Sequence, residues 1–237
     1  MAVYIYSITA AAHPRDLDGL TGVGETPTTL RTVCAGPLCA VVSDAPEDLR
    51  PKRRDLMAQQ AVQERLMTTG TVLPLRFGFT APDDDAVRTV LEERREEYTQ
   101  QLTALEGCAE YHLKAAIDED VLLRQILHDS LEARQLNEDI KAGSTGPDLQ
   151  LALGELVAQE VLARHQALAS GIIEALSPHT RQERASEPTG DDFLNISFLV
   201  DDEHQELFLA AEKGLTHELG EEFDFRLYGP LPAYSFV

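Results

Sequence analysis

Between Ala2 and Ile8 the chain reads Ala-Val-Tyr-Ile-Tyr-Ser-Ile, and the period-two alternation predicts a strand with no polar face. Tyr4, Tyr6 and Ile8 would share one side, Val3, Ile5 and Ser7 the other. Such a strand belongs in the middle of a sheet that is covered on both faces. The rest of the N-terminal half supplies the partners. A polar loop rich in Gly and Thr runs to Thr29, and strands over 30–35 and 38–43 flank Gly36-Pro37, a hairpin signal that brings Cys34 and Cys39 close. Ala58, Ala61, Val62 and Leu66 recur at helical spacing, which predicts a helix over 51–68 ended by Gly70. A short apolar strand over 71–77 follows. A helix opened by Pro82 and three aspartates then carries the stripe Val87, Leu91, Tyr98, Leu102 and Leu105, its acids suiting the positive end of the helix dipole.

The C-terminal half repeats the alternation of periods. Residues 108–117 read as a half-exposed strand with Ala109, Tyr111, Leu113, Ala115 and Ile117 inward and Glu110, His112 and Lys114 outward. A short helix over 119–134 leads to a flexible connector at 141–147, then a long helix over 148–176. An edge strand over 181–185, a strand over 193–200, a helix bearing Phe208, Ala211, Leu215 and Leu219, and a last strand with Phe223, Phe225 and Leu227 complete the order β-α-β-β-α-β. That order is the ferredoxin-like arrangement. The fold class is therefore α+β with two domains. The expected divisions are 1–107 for a related two-layer α/β domain, 108–229 for the ferredoxin-like domain, and 230–237 for a docked tail.

With 237 residues the chain is long enough for two cores of ordinary size. Its 41 acidic and 20 basic residues leave a net charge of -21, which disfavours nucleic acid and anionic membranes as partners. The one compact basic cluster, Arg50, Lys52, Arg53 and Arg54, is flanked by Asp48 and Asp55. Cys34, Cys39 and Cys108 form no recognisable pair pattern, and an odd count argues for a reducing cytoplasm. No leader pattern and no membrane-length apolar run is visible.

Thr71-Val72-Leu73-Pro74-Leu75-Arg76-Phe77-Gly78, placed after an amphipathic helix, resembles the vLPlRFG segment of the gas vesicle protein F/L family. Leu227 to Phe236, with Gly229-Pro230 and Tyr234-Ser235-Phe236, is similar to that family's tGPwPPYsF ending, and 195–200 matches the strand before it. Three positions depart from the pattern: Leu231 stands where tryptophan is common, Ala233 where proline is, and Gln59 where many members carry a histidine. The resemblance implies a cytoplasmic or vesicle-associated assembly factor or minor structural component. It would bind the apolar shell protein A, limit its aggregation in a chaperone-like way and contact other gas vesicle accessory proteins. It implies no cofactor and no catalysis.

The residues themselves point the same way. His204 and His217 lie near Asp201, Asp202 and Glu203, but no HExxH, CxxC or paired histidine spacing occurs, and His165 falls on the apolar stripe of the long helix. Asp191-Asp192 and Asp201-Asp202 sit where strands and helices end, as turn and capping residues do. Candidate partner or interdomain contacts are the motif residues Leu73, Pro74, Arg76, Phe77, Gly78, Gly229, Pro230, Tyr234 and Phe236. Arg76 would meet a partner's carboxylate or pair with nearby acids. Tyr234 and Phe236 would dock on the N-terminal domain or in a partner's groove. The competing function is a ferredoxin-like module that binds and senses a small molecule.

Overall fold

Strand β1 (Val3–Ala10) is the axis of the N-terminal sheet in a computed structural model that describes residues 1–26, 28–143 and 147–237. It pairs antiparallel with β3 (Leu38–Asp44) on one side and with β4 (Val72–Pro74) and β5 (Thr80–Ala81) on the other, while β2 (Arg31–Ala35) closes the order β2-β3-β1-β4. Both faces of β1 are buried, as its composition requires. The faces are divided differently from simple alternation. The register with β3 jumps between Ile5 and Ser7, a bulge that inserts one residue and exchanges the sides. Tyr4 and Tyr6 therefore pack with Val41, Val62 and Leu66, whereas Ile8 joins Val3, Ala40 and Val42 on the opposite face.

Helix α1 (Arg53–Met67) covers the tyrosine face. Helices α2 (Asp84–Glu93) and α3 (Arg95–Ala104) cover the other with Val87, Leu91, Tyr98 and Leu102. One helix was expected where there are two, and Arg94 leaves helical geometry between them at φ -103° and ψ 21°. The side chain of Asp83 accepts the Ala86 amide at 2.8 Å and starts α2. The two-residue turn of the β2–β3 hairpin places Gly36 at φ 55°, a conformation that favours glycine. Cys34 and Cys39 face each other across that hairpin and are joined as a disulfide, of which Cys108 is no part. The hairpin signal had brought these two residues close, and the disulfide corrects the expectation that the three cysteines form no pair.

The second sheet has the order β7-β8-β6-β9, built from β6 (Cys108–Ile117), β7 (Gln182–Ala185), β8 (Asp192–Asp201) and β9 (Phe223–Leu231), and is antiparallel. Between β6 and β7 run α4 (Glu119–Asp129), α5 (Leu131–Lys141) and α6 (Pro147–Leu176), and α7 (Gln205–Leu219) precedes β9. The helix expected over 119–134 is two helices because Ser130 is extended and its hydroxyl caps α5 at the Ala133 amide. Of the expected connector, Lys141 still belongs to α5, and residues 144–146 lie outside the described residues. Strand β6 is less exposed than its alternation suggests: Glu110 is 4% exposed.

The chain divides into two compact units rather than at one cut. The first comprises 1–111, 199–202 and 229–237, and the second 112–198 and 203–228. The last residues of the chain belong to the first unit, where Ala233 and Phe236 enter the same cluster as Val3, Leu38 and Leu73.

Candidate functional site

Helix α1 buries more than its aliphatic stripe. Asp55, Gln59 and Gln63 recur at one-turn spacing and are buried beside Val62 and Leu66. A buried amide has to find partners or cost about 1–3 kcal/mol, and Gln59, 5% exposed, finds them on three segments. Its Oε1 accepts the Tyr4 hydroxyl of β1, its Nε2 donates to the Leu75 carbonyl at 2.7 Å, and its side chain is hydrogen-bonded to the Tyr234 phenol. The two sequence motifs, far apart in the chain, thus meet at one side chain of α1.

Each motif residue takes a definite place within the first unit. Leu73 is buried in the core, and Pro74 pairs with Ser7 at the end of β4. The strand expected over 71–77 stops there because Pro74 has no amide hydrogen to continue the ladder. Beyond it the Leu75 amide bonds the Tyr6 carbonyl at 3.0 Å while the Leu75 carbonyl turns to Gln59. Phe77 lies with its ring centroid 5.8 Å from that of Tyr4, and the Gly78 amide donates to the Tyr4 hydroxyl at 3.3 Å. Gly78 adopts φ 95°, so the turn needs glycine. Arg76 is exposed and makes no ion pair among the described residues, so the internal carboxylate partner expected for it is not there.

At the other end Gly229 and Pro230 are joined by a cis peptide bond. A Cβ on Gly229 would come within 2.5 Å of the Tyr111 ring, so no larger residue fits. Ser235 is gripped by Glu110, whose two carboxylate oxygens accept the Ser235 amide at 2.8 Å and hydroxyl at 2.6 Å. Phe236 follows into the core at 9% exposure. Tyr6 extends the polar layer: its hydroxyl lies 2.9 Å from that of Ser43 and accepts the Val23 amide at 2.8 Å.

Burial pushes the phenols of Tyr4, Tyr6 and Tyr234 upward, opposed in each by hydrogen bonds. They stay protonated and neutral at neutral pH, and Tyr4 donates to Gln59. Chemically the arrangement fastens segments: it joins β1, α1, the turn after β4 and the C-terminal residues through polar groups sequestered from water. Sequence reading found the motifs but not Gln59 or Glu110 as their anchors. The signal for Gln59 was its place in the helix before the motif. Glu110 carried none, because it occupies an outward position of an alternating strand. Among the described residues, no group of three or more His, Cys, Asp or Glu side chains could hold a metal ion, and no helix is long and apolar enough to cross a membrane.

A two-unit mixed α/β protein, with a Leu-Pro-x-Arg-Phe-Gly turn and a Tyr-Ser-Phe terminus tied to one helix, is the class that fold and site define. The description "Gas vesicle synthesis protein GvpL/GvpF" matches residues 2–237, and the chain belongs to that family. It is 43% identical over 238 residues to gas vesicle protein F of Streptomyces sp. (strain CB03234), covering 100% of both chains. It is 28% identical to gas vesicle protein L of the same strain, over 99% of this chain and 92% of that one. The crystal structure of gas vesicle protein GvpF from Anabaena sp. PCC7120 has the same fold, with a TM-score of 0.86 at 21% identity, over 99% of this chain and 97% of that one. GvpF from Microcystis aeruginosa superposes with a TM-score of 0.80 at 22% identity, over 99% and 98%.

Proposed function

We propose that this protein is a gas vesicle assembly factor or minor structural component that works by association and not by catalysis. Its first unit binds the apolar shell protein A and limits its aggregation while vesicles nucleate, in the cytoplasm and at the vesicle, alongside other accessory proteins. Membership of the gas vesicle synthesis family over the whole chain carries this reading. Its physical support is a set of apolar side chains left in water on the first unit: Leu56 at 44%, Met57 at 58% and Phe79 at 54% exposure. Arg53 and Arg76, on the same helix and the same turn, are exposed and unpaired among the described residues. Covering an apolar face recovers about 25 cal/mol per Å². A net charge of -21 keeps the resulting complex dispersed by repulsion.

The test is co-expression with the shell protein, scored by sedimentation of the shell protein and by electron microscopy of vesicles. Met57→Asp with Phe79→Asp changes only exposed positions, so the variant should unfold at the wild-type denaturant midpoint while shell protein moves to the pellet and vesicles are lost. Normal vesicles in a strain lacking this gene, or undiminished protection by the double variant together with no capture of shell protein by the wild type, would refute the reading.

A further inference from the structure

The second unit contains an aliphatic cavity of about 490 Å³ between α4, α6 and α7, within the usual range of binding pockets. Leu122, Leu168, Ile172, Leu215 and Leu219 line it, with Phe223 at one end. Ala167 and Gly171 stand one helical turn apart on its rim and are exposed, and a Cβ on Gly171 would meet nothing within 4 Å. A partner's backbone can therefore approach this edge of α6 closely. The lining cation, Arg164, is already held by Asp129 at 3.0 Å and Glu160 at 3.8 Å, so it does not ask for an anionic ligand.

Through Ile117, Leu122 and Phe223 the slot shares its wall with a second cavity of about 850 Å³ whose lining is acidic. Asp192 is satisfied by Lys114 and Arg226, Asp224 by Arg226, and Asp118 caps α4. Four further carboxylates, Glu119, Asp191, Glu221 and Glu222, are exposed and make no ion pair among the described residues. His165, stacked on Phe193 at 5.4 Å, adds no charge at neutral pH because burial lowers its pKa. An apolar slot that runs into uncompensated negative charge complements a ligand with aliphatic side chains next to basic ones. An edge made of small residues at one-turn spacing complements a helix.

We propose that the groove between α6 and α7 docks a basic amphipathic helix of a partner protein, with aliphatic side chains in the slot and lysine or arginine against Glu119, Asp191, Glu221 and Glu222. This goes beyond the shell-protein reading, which concerns the first unit. It makes the chain a two-handed adaptor.

The experiment is fluorescence anisotropy of the full-length protein with three labelled peptides of about five helical turns. One has a leucine stripe flanked by lysines, one has the same composition scrambled, and one has glutamate in place of lysine. The patterned lysine peptide should bind at least about tenfold more tightly than either control. Gly171→Leu, which fills the slot from the rim, should weaken it by about tenfold, and Glu221→Gln with Glu222→Gln severalfold, with a shallower salt dependence. Thermal unfolding checks that the variants are folded, and Ala167→Leu blocks the same edge should Gly171→Leu not fold. Equal binding of the scrambled peptide, binding undiminished by a folded groove variant, or no binding of the patterned peptide overturns the proposal. None of these results bears on capture of the shell protein by the first unit.

Discussion

Gln59 joins Tyr4, Leu75 and Tyr234, so its replacement strands three polar groups at once. Gln59→Leu fills the same space but leaves the Leu75 carbonyl and two phenols without their partner. The expected loss is about 2–4 kcal/mol, read from the urea midpoint at unchanged slope. Glu110→Ala removes both acceptors of Ser235 and should cost about 2–3 kcal/mol. Carboxypeptidase digestion separates this effect from general destabilisation: the variant should lose its last residues under native conditions, whereas the wild type, with Phe236 in the core, resists. Resistance of Glu110→Ala equal to wild type would show that Phe236 and Tyr234 suffice to hold the end. At this scale the sequence made two short motifs legible. The side chains that hold them were invisible, since a buried hydrogen bond depends on a partner tens of residues away.

Among the elements, α2 starts on a single side-chain cap beside an ion pair. Asp83→Ala should lower stability by about 1 kcal/mol through loss of the cap. The hydrogen bond from Arg31, with its charge, holds the Asp84 carboxyl below the usual carboxylate range. A depressed folded pKa contributes stability that is complete above the unfolded value, about 3.9, and fades as pH falls through the folded one. Asp84→Asn should therefore be less stable than wild type at pH 7, and the two should converge in acid. The pair is about one third exposed, so the difference at pH 7 stays below about 1 kcal/mol. Thermal unfolding at several pH values measures it. Most elements were legible from their periodicity, including the central position of β1. The bulge in β1 and the breaks at Arg94 and Ser130 were not, because each keeps the apolar spacing on both of its sides and only the backbone changes course.

For the whole molecule, a charge of -21 makes long-range repulsion the dominant interaction between copies. Light scattering should give a strongly positive second virial coefficient at low salt that falls steeply as the Debye length shrinks from about 30 Å to 3 Å. A coefficient insensitive to salt would mean that association offsets the repulsion. Charge, length and the succession of periods are sums and patterns along the chain, so the sequence by itself determined the α+β class, two units, an acidic surface and the family motifs. Where those units divide was a tertiary decision. Residues 199–202 and 229–237 belong with the first 111 because their side chains complete its core and its hydrogen bonds. The same holds for the anchors Gln59 and Glu110, and for the groove of the second unit. Each depends on which surfaces face one another, and that is settled only when distant segments compete to bury apolar area and satisfy their polar groups.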